Sequence, residues 1–165
     1  MTIRYAKIVL IWSVALFSGL VAWNNMVDYE SNYSFVFHVL KMDTTFPNNV
    51  GMWRAIESPM AYHFVYGVII AVESLIALLS AIAGVQLIRH RHSHREFNAA
   101  KSVAVVGLVL GVVLWFTGFL TIGGEWFLMW QSAVWNGQQA AYRLVVVFLM
   151  ILIFLLLPDD FVSKE

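Results

Sequence analysis

Cysteine is absent from the 165 residues, so no disulfide can staple a loop, no thiolate can hold a metal, and a CxxC redox role is excluded. Charge is nearly as scarce: 12% of the residues are charged, against about a quarter in a soluble domain. The ten basic and ten acidic residues cancel, which leaves no net field to draw nucleic acid or an anionic substrate, and nucleic acid is not an expected partner. Only three prolines interrupt the chain, and it carries no HExxH pair, glycine-rich phosphate loop or Ser-His-Asp spacing. What remains is apolar, at 61% of the chain.

These apolar residues gather into four runs, near 8–23, 61–88, 103–122 and 140–157. A helix of about 20 residues crosses a hydrocarbon core of ~30 Å, so each run is read as a span. A transmembrane barrel would need about ten-residue segments of alternating polarity, whereas 144–157 holds no polar residue at all. Helices are therefore the spanning elements. Span one shares the basic start and apolar middle of a secretory signal. Its run is longer than a signal core, however, and Ala22-Trp23 offers no small-x-small cleavage site. The fold class expected is an all-α membrane protein forming one domain over 1–165. It is a four-transmembrane-helix bundle with a helical outer cap at 24–59, between helices 1 and 2, and a Trp-rich interfacial loop at 123–138, between helices 3 and 4.

The charges orient the bundle. Arg4, Lys7, Arg89, Arg91, Arg95, Lys101 and Lys164 fall on one side, against Lys41, Arg54 and Arg143 on the other. The positive-inside rule then puts both termini in the cytoplasm and both large connections outside.

Local signals divide the chain further. Asn24-Asn25 are expected to end span one, and Ser31-Asn32 to cap a short amphipathic helix over 33–42 with Phe35, Val39 and Met42 facing the bundle. Residues 43–49 are rich in turn formers, and a second short helix is expected at 51–56. Ser58-Pro59 marks the start of span two by its N-cap serine and N1 proline. Gly107, Gly111 and Gly118 form a small-residue packing face on span three. No repeat relates the two halves, which argues against an inverted-repeat transporter.

Asn24-Asn25, Asp28-Tyr29, the block HVLKMDTTFP at 38–47, MWRAI at 52–56, Glu73 and IGGEWFLMWQSAVWNGQ at 122–138, taken in order, carry a resemblance. The chain resembles a bacterial family of predicted small integral membrane proteins, catalogued as a domain of unknown function, over essentially its whole length. The resemblance implies a multi-pass protein of the bacterial inner membrane whose outer loops are its characteristic part. It implies no activity, substrate or cofactor, and no cofactor is expected.

Glu73 is the costliest residue, a carboxylate well inside span two. It either marks a proton or cation site, or is held by an interhelical hydrogen bond or an ion pair with Arg143 at the mouth of span four. His38 and Asp43, with Asp28, Tyr29, Asn32, Thr44 and Arg54, supply acid-base residue types in the outer loop. The same residues can equally cap short helices. Trp126 and Trp130, with Trp53 and Trp135, are read as interfacial anchors or as a docking surface. His38 and His63 are weak metal candidates beside Met42, Met52, Met60 and Met129, but no pair has a ligand spacing, and no metal site is expected. His90, His92 and His94 belong to a basic turn whose arginines oppose a cation.

The function expected is that of a non-enzymatic accessory or interaction protein, docking a lipid or protein partner through its outer loops. The alternative is a homo-oligomeric channel or transporter for protons or small solutes that uses Glu73. A membrane enzyme or redox subunit is a further alternative.

Overall fold

The computed structural model describes residues 1–159. It contains helices α1 (Thr2–Val27), α2 (Tyr29–Lys41), α3 (Pro59–Arg89), α4 (His94–Val112) and α5 (Gln138–Leu156), with 3₁₀ turns at Met52–Arg54 and Met129–Gln131. Beyond Val112, α4 continues as a wider, π-type helix over Val113–Trp126. Four units, α1, α3, α4 with its extension, and α5, are long and apolar enough to cross a membrane, and no strand occurs among the described residues. The four-helix membrane bundle expected from the sequence is the fold observed. Lys164, one of the charges used to orient it, lies outside the described residues.

Consecutive spans pack side by side in chain order, α1 on α3, α3 on α4 and α4 on α5, while α2 lies against α1 and α3. One end of the bundle therefore carries α2, the Met52–Arg54 turn and the connection 127–137. The other carries the start of α1, the turn 90–93 and the end of α5. We call these the cap end and the terminal end.

Between apolar helices in lipid no hydrophobic effect drives association, so close van der Waals packing must. The small residues show where it occurs. A Cβ on Gly84 of α3 would come within 2.7 Å of the Trp12 indole of α1, and one on Gly111 of α4 within 2.1 Å of the Phe148 ring of α5. Gly107 faces Ser80 and Leu79 of α3. Gly107 and Gly111 thus serve two different neighbours, and Gly118, expected to extend the same face, meets only Leu114 of its own helix. Ile11, Ile76, Ala83, Leu87, Leu108 and Phe148 form the core between these contacts.

Element boundaries differ from expectation in three places. α1 runs through Asn24-Asn25 to Val27, because Ser18, Ala22 and Asn25 continue its buried stripe. α2 begins at Tyr29 rather than Tyr33; Ser31 does not cap it but donates its hydroxyl to Asp28 Oδ2, 2.8 Å away. Its buried side chains are Val36 and Leu40, with Met42 in a left-handed conformation just past its end. The third span runs on through Gly123-Gly124 to Trp126, so the connection to α5 is shorter than 123–138. Ser58 and Pro59 start α3 as expected, the serine hydroxyl accepting from the Ala61 N–H at 3.4 Å.

A buried charge cluster closes the terminal end. Lys7 of α1 and Lys101 of α4 donate to Asp159 at 2.6 and 2.7 Å, and Lys7 also donates to the Leu157 carbonyl. The side chains of Lys7 and Asp159 are fully buried and that of Lys101 is nearly so. Burial raises the Asp159 carboxyl, but the hydrogen bonds and charges of Lys101 and Lys7 outweigh it and hold the group below the usual carboxylate range. The two lysines thereby fix the chain beyond α5 against α1 and α4.

Candidate functional site

Beneath the cap, the bundle forms an open-sided chamber of about 220 Å³. α1 contributes Val21 and Asn25; α2 contributes Asn32, Phe35 and Val36; α3 contributes Tyr66, Ile69 and Glu73. The wide helix adds Trp115 and Phe119, and the start of α5 closes the wall with Ala140.

Its polar groups form one directed chain. Asn32 Nδ2 donates to Asn25 Oδ1 at 2.7 Å, and Asn25 Nδ2 donates to Glu73 Oε2 at 2.6 Å. The Tyr66 hydroxyl donates to the Asn25 carbonyl at 3.1 Å, which fixes the last turn of α1. Glu73 is 3% exposed. Its partner is an amide, not Arg143, which is exposed on α5 and makes no ion pair with it. Of the roles open to Glu73 as a structural residue, the interhelical hydrogen bond is the one present.

A second cavity, about 350 Å³, adjoins the chamber and shares Phe35, Val36, Ile69 and Phe119 with it. Its lining is almost wholly apolar: Val39 and Leu40 of α2, Val65 and Val68 of α3, and Leu114, Gly118, Ile122 and Gly123 of the wide helix. These last four, with Phe119, recur at steps of one, three and four because the helix is wound wider there, as the Phe127 N–H to Ile122 carbonyl bond at 3.0 Å shows. Such wide turns are rare and recur at functional sites. Gly118 leaves the groove open, since a Cβ there would meet nothing nearer than 3.9 Å. Phe64 and Val68, on the rim, are exposed on the outer surface of α3.

The remaining candidates lie above the chamber, apart from Glu73. His38 Nδ1 sits 2.9 and 3.0 Å from the two oxygens of Asp43, and its ring stacks on Trp135 at 4.7 Å. His63 stacks on Tyr33 at 4.4 Å and pairs with the Tyr29 hydroxyl at 2.9 Å. Burial, then the nearby Tyr33 and Glu30, raise the Tyr29 hydroxyl above its ordinary value. Each histidine is thus held by its own aromatic partners. Among the described residues no three His, Asp or Glu side chains form a metal-holding group. Trp126 and Trp53 pack edge to face at 5.7 Å with the Arg54 guanidinium over both rings, and Trp130 meets Phe46 at 5.7 Å. Gln131 ties the turn beneath them, accepting from the Phe46 N–H and from Asn49, both at 3.1 Å.

Asn25 and the groove-lining residues were missed from the sequence. The spacing Ser18, Ala22, Asn25 was the available signal for the first; the groove had none, because apolar residues on a span look alike whether they line a cavity or face lipid.

The fold and these cavities define a multi-pass integral membrane protein with its internal space near the cap end. The family model described as predicted small integral membrane protein (DUF2165) matches residues 3–158, and the chain belongs to that family. No curated protein and no solved structure matches it.

Proposed function

We propose that the protein is a non-enzymatic lipid-binding protein of the bacterial inner membrane, with its cap outside and its termini in the cytoplasm. The observation that carries this is the pairing of an apolar groove with a chamber that holds Glu73, Asn25 and Asn32, across the shared wall of Phe35 and Phe119. A chain and a headgroup need that combination, and ligand sites are typically apolar clefts with a few fixed polar groups. The exposed Trp53, Trp126 and Trp130 suit the interface at the same end, where indoles anchor among headgroups. The excess of Lys and Arg at the terminal end supports the orientation.

Binding is favoured over conduction by what lies below Glu73. Ile76, Ser80, Ala83 and Leu87 follow it on the buried face of α3; Ser80 is the one buried polar side chain there, and Ile76, Ala83 and Leu87 are packed in the main core, so no continuous polar path runs towards the terminal end among the described residues.

Native mass spectrometry after mild extraction tests the reading. Gly118→Trp fills the groove, whereas Gly67→Trp adds the same bulk on α3 where nothing lies within 4 Å. The wild type and Gly67→Trp are expected to retain one lipid per chain that Gly118→Trp loses. Equal lipid on all three would refute a groove-bound lipid.

A further inference from the structure

Granted the lipid reading, the surroundings of Glu73 define the headgroup. The two amides point donor to acceptor from Asn32 through Asn25 to the carboxylate, which ends the chain as an acceptor. No lysine, arginine or histidine among the described residues pairs with it. A carboxylate inside a span costs a few kcal/mol and is normally offset by a partner. Here one amide offsets it, and beside it lies a chamber of about 220 Å³. Rings of Phe35, Tyr66, Trp115 and Phe119 line that chamber, and aromatic faces attract cations within about 6 Å. An anionic headgroup would meet the charge of Glu73 with no cation to offset the repulsion. A cationic one would find a carboxylate counter-ion and aromatic walls together.

We propose that the chamber is a binding site for the ammonium headgroup of a phospholipid, with Glu73 as its counter-ion and an acyl chain in the groove beyond Phe35 and Phe119. Asn25 is then a positioning residue: its amide holds one carboxylate oxygen and leaves the other to the ligand. α1, which supplies Asn25, and α3, which supplies Glu73, are the most extensively packed pair of helices, so the site is preformed.

The test is native mass spectrometry of the whole protein with ethanolamine, choline and glycerol phospholipids of identical chains. The wild type is expected to retain the two ammonium lipids about fivefold or more over the glycerol lipid. Glu73→Gln should remove the preference. Val21→Phe, which keeps Glu73 and narrows the chamber, should remove it as well, with helicity by circular dichroism confirming that each variant is folded. Lipid held without regard to headgroup would overturn the ammonium assignment and leave the lipid reading standing, whereas no retained lipid would remove both. A preference that survives Glu73→Gln in folded protein would overturn the role of Glu73. Free ethanolamine bound with no lipid retained would also overturn the proposal, since the groove would then take no part.

Discussion

Replacing Asp159 by asparagine removes the carboxylate that two buried lysines share. Lys7 and Asp159 have fully buried side chains and Lys101 is 7% exposed, so water cannot take the place of the lost charge. Breaking a buried pair by deleting one partner costs ~3–5 kcal/mol, most of it from the charge left behind. Asparagine keeps one carbonyl oxygen as an acceptor, which puts the expected cost at the low end, ~3 kcal/mol. At about 2–4 °C per kcal/mol, Tm should fall by about 6–12 °C. Thermal unfolding in detergent at pH 7, followed by far-UV circular dichroism, measures it. The triple variant Lys7→Met, Lys101→Met, Asp159→Leu should recover most of the loss, since an apolar replacement of a whole buried cluster is often neutral or stabilising. The acid limb gives a second reading of the same group. Its folded pKa lies below the unfolded value of about 3.9, so its stabilisation is fully present above that value and is lost as pH falls through the folded pKa. This contribution should therefore be flat from pH 7 to 5, decline below about pH 4, and be missing in Asp159→Asn. A Tm within about 2 °C of wild type at pH 7 would refute the reasoning.

Three smaller perturbations follow from particular contacts. Gly111→Ala drives a methyl to about 2.1 Å from the Phe148 ring and should cost ~1–3 kcal/mol, with Phe148→Leu in the same chain relieving part of it; equal stability of wild type and Gly111→Ala in chemical denaturation would contradict the packing. Arg54→Ala frees Trp53 and Trp126 from the guanidinium between them and should increase acrylamide quenching of tryptophan fluorescence. Unchanged quenching would mean the cluster does not order those rings. Ser58→Ala removes a long cap bond of 3.4 Å and should cost only ~0.5 kcal/mol, with Pro59 still starting α3; a loss several times larger would give Ser58 a role beyond the cap.

The spans were legible because bilayer thickness sets a run length that composition alone reveals, and Ser58-Pro59 was legible because cap chemistry is local. Asn24-Asn25 misled for the same reason: asparagine disfavours helix interiors, yet the stripe through Ile11, Ser18 and Ala22 carries Asn25 inward to Glu73. The Gly123-Gly124 pair read as a loop, but the wide helix absorbs both glycines before it ends at Trp126. Glu73 was identifiable as costly, whereas its partner was not, because choosing between Asn25 and Arg143 requires knowing which face of α5 is buried. Ala141, Val145 and Phe148 form that face, and Arg143 lies off it. Asp159 escaped notice because it follows Pro158 beyond the last apolar run, where nothing local indicates that two lysines distant in sequence converge.

The most direct test of the account is a set of intermolecular nuclear Overhauser effects between lipid acyl chains and protein methyl groups in nanodiscs. Leu40 and Leu114 line the groove but are only 6% and 9% exposed, so surrounding bilayer lipid reaches them little, whereas Met150 and Ile153 lie on the open face of α5. Acyl-chain effects at Leu40 and Leu114, lost in Gly118→Trp, are the predicted result. Effects confined to Met150, Ile153 and other exposed methyls would contradict a lipid seated in the protein.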